Sequence, residues 1–450
     1  MKTALIILAA GKGTRMNSDL PKVLHSLAGD PMLIHALEAG ATLEPDRTVV
    51  VAGHGADQVR AAAYAHDATI KVVEQTEQLG TAHAVAQARP ALAGFDGMAL
   101  VLYGDTPFIQ PETLERMAAA LDQTDVVVLG FEAADPGRYG RLVMDGQTLD
   151  RIVEFKDASD AERKITLCNS GVLACKADLL FELIDAVGNN NASEEYYLTD
   201  IIGLARARVL SATAVTCAEW ETVGINSRAE LARAEADFQT RARAALLEDG
   251  VTLTAPDTVF LARDTVIGRD TLVEPNVVFG PGVTVESGTT IRAFSHLEGC
   301  HVSRGATVGP YARLRPGAEL AEHVRVGNFV EIKNAQISEG AKINHLSYVG
   351  DATIGAAANI GAGVITCNYD GVMKHHTTVG AGAFIGSNTM LVAPVTIGDG
   401  ALTGSGSVIT SDVEPDALAL ARAPQVEKPG MARKLFDMLK AKKAKMQRGS

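Results

Sequence analysis

The chain has 450 residues, 47% hydrophobic and 21% charged, a globular composition too long for one ordinary core. Its formal net charge of −13 excludes non-specific nucleic-acid binding, which needs a basic field, but leaves room for small anions wherever Lys and Arg cluster. Five cysteines (Cys168, Cys175, Cys217, Cys300 and Cys367) stand at no metal-binding spacing, and no apolar run is long enough to span a membrane. A reduced, cytoplasmic protein with no membrane insertion is expected.

The opening MKTALIILAAGKG reads as a buried first strand: its apolar run is short, lacks an A-x-A site and leads into a Gly-rich turn. Further apolar runs at Thr48–Gly53, Lys71–Glu74, Met98–Tyr103 and Val126–Phe131 alternate with helical patterns at Pro31–Ala39, Thr81–Ala88 and Pro111–Leu121. Continuous apolar strands alternating with helices predict a mainly parallel sheet buried on both faces, Rossmann-like, over residues 1–226. Ligands of such sheets sit at the carboxyl ends of the strands. Residues 227–249 contain no Gly or Pro and place Leu231, Ala234, Phe238 and Ala242 on one face, predicting a connecting helix stopped by Gly250.

From about residue 261 to 410 an aliphatic residue returns every sixth position: Leu261, Ile267, Val273, Phe279, Val285, Ile291, Leu297. The step resumes after a one-residue slip at Val302, Val308, Leu314, Leu320, Val326 and Ile332, and again from Val379. Neither an amphipathic helix nor simple alternation has this period. A parallel β-helix does, with one flat side per hexapeptide and three sides per coil. The expected domain is a left-handed β-helix over residues 250–422, its aliphatics stacking on copies one coil away. The step is lost across ITCNYDGVMKHHTT, which predicts a loop leaving the prism, and such loops tend to carry function. The tail, 423–450, holds eight basic residues from Lys428 onward against one acid, Asp437. It reads either as a solvated, frayed end or as help in holding an anionic cofactor.

The string Leu8-Ala9-Ala10-Gly11-Lys12-Gly13-Thr14-Arg15-Met16 follows the first strand. Small residues there let backbone N–H groups approach a phosphate chain, while Lys12 and Arg15 supply charge. Lys22, after Pro21, adds another cation. This string closely resembles the signature of the sugar-1-phosphate nucleotidyltransferases, L-x-x-G-x-G-T-R-[ML]…P-K. Over nearly the whole chain, the sequence is similar to the family of bifunctional N-acetylglucosamine-1-phosphate uridyltransferases and glucosamine-1-phosphate acetyltransferases.

The resemblance implies a UTP site formed by Leu8, Ala9, Ala10, Gly11, Lys22, Gln75, Gly80, Thr81, Tyr103 and Gly104. It implies that Asp105 and Asn226 hold Mg²⁺, that Gly140, Glu154 and Asn169 hold the sugar, and that Arg15 and Lys22 are catalytic. Those residue types suit the chemistry. One phosphate attacks another, so charge neutralisation and alignment dominate, and Mg²⁺ needs only one or two protein ligands beside the phosphates. His83 reads as structural.

In the prism, Arg313, Arg315, Lys333, His345, Tyr348, Asn359, Asn368, Tyr369 and Lys374 crowd where a bare scaffold would show small residues. Spaced by three hexapeptides, Arg315, Lys333 and Asp351 should fall in one column, with Arg315 and Lys333 stacked and no carboxylate between them. A bound phosphate would relieve their repulsion. An acceptor ammonium must lose a proton before it attacks a thioester, and imidazole suits that task at neutral pH. His345 is the candidate.

The family resemblance implies His345 as catalytic base and Arg315, Lys333, Tyr348 and Asn359 as contacts for glucosamine-1-phosphate. It also implies Asn368, Tyr369, Ser387, Ser405 and Arg422 around acetyl-CoA, and a homotrimer. Asn344 departs from the small residue many relatives carry before the catalytic His. His375 and His376 read as solvated loop residues. The rival readings are another sugar-1-phosphate nucleotidyltransferase with a regulatory β-helix, and a non-catalytic exchange subunit. The His345/Tyr348/Asn368 set and QLGTAHA speak against the first, the intact GKGTRM, Lys22, Asp105 and Asn226 against the second.

Overall fold

A computed structural model describes residues 2–448. It divides into two compact units, Met1–Ala245 with Leu261–Arg263, and Leu246–Phe260 with Asp264–Ser450.

The first unit is built on a twisted sheet whose main path runs Ala212–Cys217, Val126–Glu132, Leu167–Lys176, Met98–Tyr103, Thr3–Ala9, Arg47–Ala52, Lys71–Glu74. Every residue of Thr3–Ala9 is buried, because helices cover both faces and each face carries its own apolar cluster. The five apolar runs read from the sequence all form strands; four of them pair in parallel with one another, and the fifth, Val126–Glu132, pairs in parallel with Ala212–Cys217. Leu167–Lys176, Ala212–Cys217 and the hairpin Arg141–Asp145/Thr148–Val153 are strands outside those runs. Leu167–Lys176 inserts antiparallel between Met98–Tyr103 and Val126–Glu132. Its polar start, Leu167-Cys168-Asn169-Ser170-Gly171, hides it from a search for apolar runs. The connecting helix spans Arg228–Glu248. It buries Ala234, with Leu231 and Phe238 packed against Met16, Leu27, Met32, Phe108 and Ile225.

The second unit is a prism of short parallel strands, in sheets of ten and fourteen. Ile267 pairs with Val285, three hexapeptides on, whereas Val285 pairs with Val302, one position short of the next full coil. That is the one-residue slip seen in the aliphatic spacing. The expected loop also forms. Ile354 pairs with Val379, well beyond one ordinary coil, and the extra residues leave the prism between the strands Ile365–Cys367 and Thr377–Val379. The tail differs from a frayed end: Met431–Arg448 is helical, with Leu435, Phe436, Met438 and Leu439 exposed. No helix among the described residues is long and apolar enough to cross a membrane.

Inward aliphatics such as Leu314, Ile332 and Val349 are fully buried, and each such side chain contributes about 1.5–3 kcal/mol. Leu314→Ala should therefore lower the unfolding free energy of the prism by about 2–5 kcal/mol in urea titrations. Val266→Ala, at an exposed position, should stay within about 0.5 kcal/mol of the parent.

Candidate active sites

In the first unit, parallel register sets Leu8 beside Tyr103. The loop after Thr3–Ala9 therefore lies next to the loop after Met98–Tyr103, at the carboxyl end of the sheet where ligands bind. A cleft of about 280 Å³ opens there, lined by Leu8, Ala9, Ala10, Gly11, Lys22, Gln75, Gly80, Thr81, Tyr103 and Asp105. Gly104 fixes the turn by donating its N–H to Leu8 O at 3.0 Å. Gly13 has φ +58°, and a Cβ there would come within 2.7 Å of the Lys22 side chain. Only glycine lets the loop cross so closely above that lysine.

The Lys22 ammonium lies against the Asp105 carboxylate and 3.0 Å from Asn226 Oδ1. Asp105 and Asn226 thus aim oxygen atoms at one point, although they are far apart in sequence. Arg15 is different: it is exposed in the short turn Thr14–Met16 and lies outside the lining of the cleft.

Gln75 is buried; its amide donates to Gly80 O at 3.1 Å and meets His83 Nδ1 at 3.1 Å. His83, read from the sequence as structural, lies between Gln75 and Gln87, whose amide is 3.2 Å from His83 Nε2. Val23, Gln78, Ala84 and Glu195 complete the lining, and Gln78 donates to Ala10 O at 2.8 Å. Gln78 stands in a string that the sequence singled out, but Glu195 carries no periodic or motif signal.

Tyr103 also borders a crevice walled by Ile152, Asn169, Gly171 and Thr199. Gly140 O accepts the Asn169 N–H at 2.9 Å, and Glu154 accepts from Thr199 Oγ1 at 3.2 Å. The three residues assigned to the sugar are therefore neighbours. Burial pushes the Glu154 carboxyl up, against the Thr199 hydrogen bond, and the charges of Asp200 and Asp157 add to the rise.

In the second unit the polar residues fall on two corners of the prism. On the first, Arg315 pairs with Glu331 at 2.8 Å. The expected stack of uncompensated cations is thus not formed, because Glu331 supplies the missing carboxylate. Lys333 is in register with Gly350, while Asp351 faces Asn334; the local coil is one residue shorter than three hexapeptides, which removes Asp351 from the predicted column.

Asp351 accepts hydrogen bonds from Asn334 at 2.6 Å and from Asn368, with Lys374 at 3.8 Å. Burial alone would push this carboxyl up. The hydrogen bonds from Asn334 and Asn368 and the charges of Lys374 and Lys333 outweigh burial and hold it below the usual carboxylate range. Tyr348 lies across Gly350, where a Cβ would come within 2.4 Å of the phenol oxygen, and its hydroxyl is 3.5 Å from Asn368 Nδ2.

The departing loop is fastened by Asp370. His375 bonds its carboxylate at 2.7 Å, the Met373 and Val372 amides add to it, and its pKa is held down to about 2. His375 is therefore not a free solvated residue, and His376 meets Thr353 at 3.0 Å. Tyr369 is exposed, with its hydroxyl donating to Gly371 O at 2.6 Å.

The second corner carries His345. Its Nδ1 is 2.8 Å from Asn328 Oδ1. An amide oxygen only accepts, so Nδ1 is the donor, and in the neutral ring that leaves the lone pair on Nε2. A groove of about 490 Å³ beside it is lined by Arg292, Arg325, Asn328 and Asn344. Register carries this corner upward. Ile343 pairs with Ile360, Ile360 with Ile385, and Ile385 with Thr403, so His345, Ala362, Ser387 and Ser405 form one column. Coils rise about 4.8 Å each, which sets Ser387 about 10 Å from His345. Arg422 extends the column by donating to Ser405 O at 2.7 Å, and Asn359 lies on the adjoining face between Lys342 and Phe384. Among the described residues no hydrogen bond or ion pair joins His345 to the Arg315 cluster.

Residues 5–168 match the family described as MobA-like NTP transferase domain, and residues 264–299 and 376–411 match the bacterial transferase hexapeptide repeats. The chain is 72% identical to the bifunctional protein GlmU of Roseobacter denitrificans over 450 residues, all of both chains. It is 72% identical to that of Ruegeria pomeroyi over 448 residues and 70% to that of a second Ruegeria over 449, again covering 100% of each chain. With identity of this order running through both sites, the chain belongs to the bifunctional GlmU family.

Proposed function

We propose that the chain acetylates glucosamine-1-phosphate with acetyl-CoA in the prism, then joins the N-acetylglucosamine-1-phosphate to UTP in the first unit. The products are UDP-N-acetylglucosamine and pyrophosphate. The observation that carries this reading is that the 72% identity spans the full length, and so covers both sites. The proposed division is 1–226 for uridylyl transfer, 227–249 as linker, 250–422 for acetyl transfer and 423–450 as a basic tail, in a cytoplasmic enzyme.

Asp105 and Asn226 would hold Mg²⁺. Both offer hard oxygen atoms, and the contact of one Lys22 nitrogen with both supports their converging as a small cation requires. Magnesium there would supply charge to neutralise the triphosphate. The remaining work belongs to the chain. The small residues of the Gly11 loop let phosphate approach backbone N–H groups, Lys22 screens the two anions from each other, and the cleft aligns them. Gln75 directs its amide N–H groups to Gly80 and His83, which leaves its carbonyl to accept from the uracil ring. No general base is needed, because the attacking phosphate is already ionised.

In the prism, His345 Nε2 takes a proton from the ammonium of glucosamine-1-phosphate. The freed amine attacks the thioester carbonyl, the C–S bond breaks, the proton on the imidazole passes to the departing sulfur, and the second proton shed by the nitrogen as it becomes an amide passes to water. Arg315, Lys333, Tyr348 and Asn359 are assigned to the sugar phosphate, with Asn368 and Tyr369 near the acetyl group. The column Ser387–Ser405–Arg422 gives the elongated coenzyme a track along the prism.

Three copies would unite the two corners. His345 and the Arg315 cluster lie apart in one chain, and the corner beside His345 exposes a stacked ladder, Phe294, Tyr311 and Phe329, with centroids 4.9 and 5.3 Å apart. A second prism packed on that ladder would cover it. Light scattering should give three times the mass of the chain, and a monomer active in acetyl transfer would contradict this.

His345→Ala should abolish thiol release from acetyl-CoA and leave pyrophosphate release from UTP intact, while Asp105→Ala should do the reverse; equal loss of both in either variant refutes the assignment. Asn328→Ala should lower kcat for acetyl transfer by on the order of ten- to a hundredfold, since the imidazole loses the partner that fixes its tautomer, with uridylyl transfer unchanged.

A further inference from the structure

Arg141 is 2% exposed and is the largest fully buried side chain of the described residues, yet among those residues it forms no salt bridge. Burying an arginine without a carboxylate is costly. Backbone carbonyls meet its two terminal nitrogens, while Nε is buried without a hydrogen-bond partner among the described residues: Nη1 donates to Tyr139 O, and Nη2 to Gly137 O at 3.1 Å and to Arg163 O at 3.2 Å. The same group lies 5.7 Å from the Phe155 ring centroid. One planar fork thus ties the turn before Gly140 to the segment after Glu154.

Gly140 stands between the clamped carbonyls and Arg141 itself. Its carbonyl is occupied by Asn169 N–H, whereas its own N–H has no acceptor among the described residues. A Cβ on Gly140 would stand 3.4 Å from a Glu154 oxygen. The free N–H, the Glu154 carboxylate and Asn169 therefore surround one small space whose geometry depends on how the 137–139 turn is held.

We propose that Arg141 is a positioning residue for uridylyl transfer, fixing the Gly140 N–H and the Glu154 segment in the arrangement that receives the sugar of the sugar-1-phosphate. It touches no substrate. The inference rests on the reading that Gly140, Glu154 and Asn169 hold that sugar. Lysine cannot replace it, because three carbonyls spread around a planar fork exceed the reach of one ammonium.

The test is steady-state kinetics on full-length Arg141→Lys, Arg141→Met and Phe155→Leu, with acetyl transfer measured on the same samples. KM for N-acetylglucosamine-1-phosphate should rise on the order of ten- to a hundredfold in both Arg141 variants, and by less in Phe155→Leu. KM for UTP should stay within about twofold, and acetyl transfer should be unchanged. Equal rises in both KM values, or no change in a variant with a parental melting profile, overturn the proposal. So does a failure of both Arg141 variants to fold, which would make the residue structural only. If the parent enzyme does not saturate with the sugar phosphate, the sugar-site reading falls and the role of Arg141 falls with it. A saturable parent with unmoved variants sinks the Arg141 inference alone.

Discussion

Parallel backbone register decides where the chemistry of this chain sits. In the first unit it sets Leu8 beside Tyr103, so the Gly11 loop and the loop carrying Asp105 share one edge. In the prism it lifts each coil onto the last, so Val285 meets Ile267 from below and Val302 from above, and Val379 meets Ile354 across the departing loop. Neither site is local in sequence. Each exists because strands buried on their inner faces cannot slip by one residue without turning their aliphatics outward.

Charge then decides what each site can accept. Lys22 against Asp105 and Asn226 is a cation held by oxygen atoms, the arrangement on which the proposed Mg²⁺ site rests. The prism offers a different balance. Arg315 is compensated by Glu331, and Lys333 and Lys374 stand near Asp351, so its basic residues are partnered and positioned rather than simply repelling one another. The sugar phosphate proposed for this cluster would join a hydrogen-bonded network in which Asp351 already holds Asn334 and Asn368.

Much of this was legible in the sequence. The six-residue aliphatic step revealed the prism, its slip and its loop, because an inward position tolerates little but aliphatic side chains and the period therefore shows. Gly11-x-Gly13, Lys22 and Asp105 were legible because tight turns and phosphate chemistry restrict residue type. Asn328, Glu331 and Asp351 were not. Each is an ordinary polar residue on a corner or outward face, and its partner is fixed only once it is known whether a coil is full or one residue short. Leu167–Lys176 escaped because half of it is polar, and Arg141 because a lone arginine after glycine reads as solvated surface. The His375–Asp370 bond inside the loop was hidden for the same reason: a turn, not a period, brings them together.

The central claim is that two chemically independent sites share one chain. Its most direct test offers the full-length protein one pair of substrates at a time. The account predicts pyrophosphate release from UTP and N-acetylglucosamine-1-phosphate with no acetyl-CoA present, and thiol release from acetyl-CoA and glucosamine-1-phosphate with no UTP present. A reaction that proceeds only when the other pair is added, or that fails altogether, would contradict it.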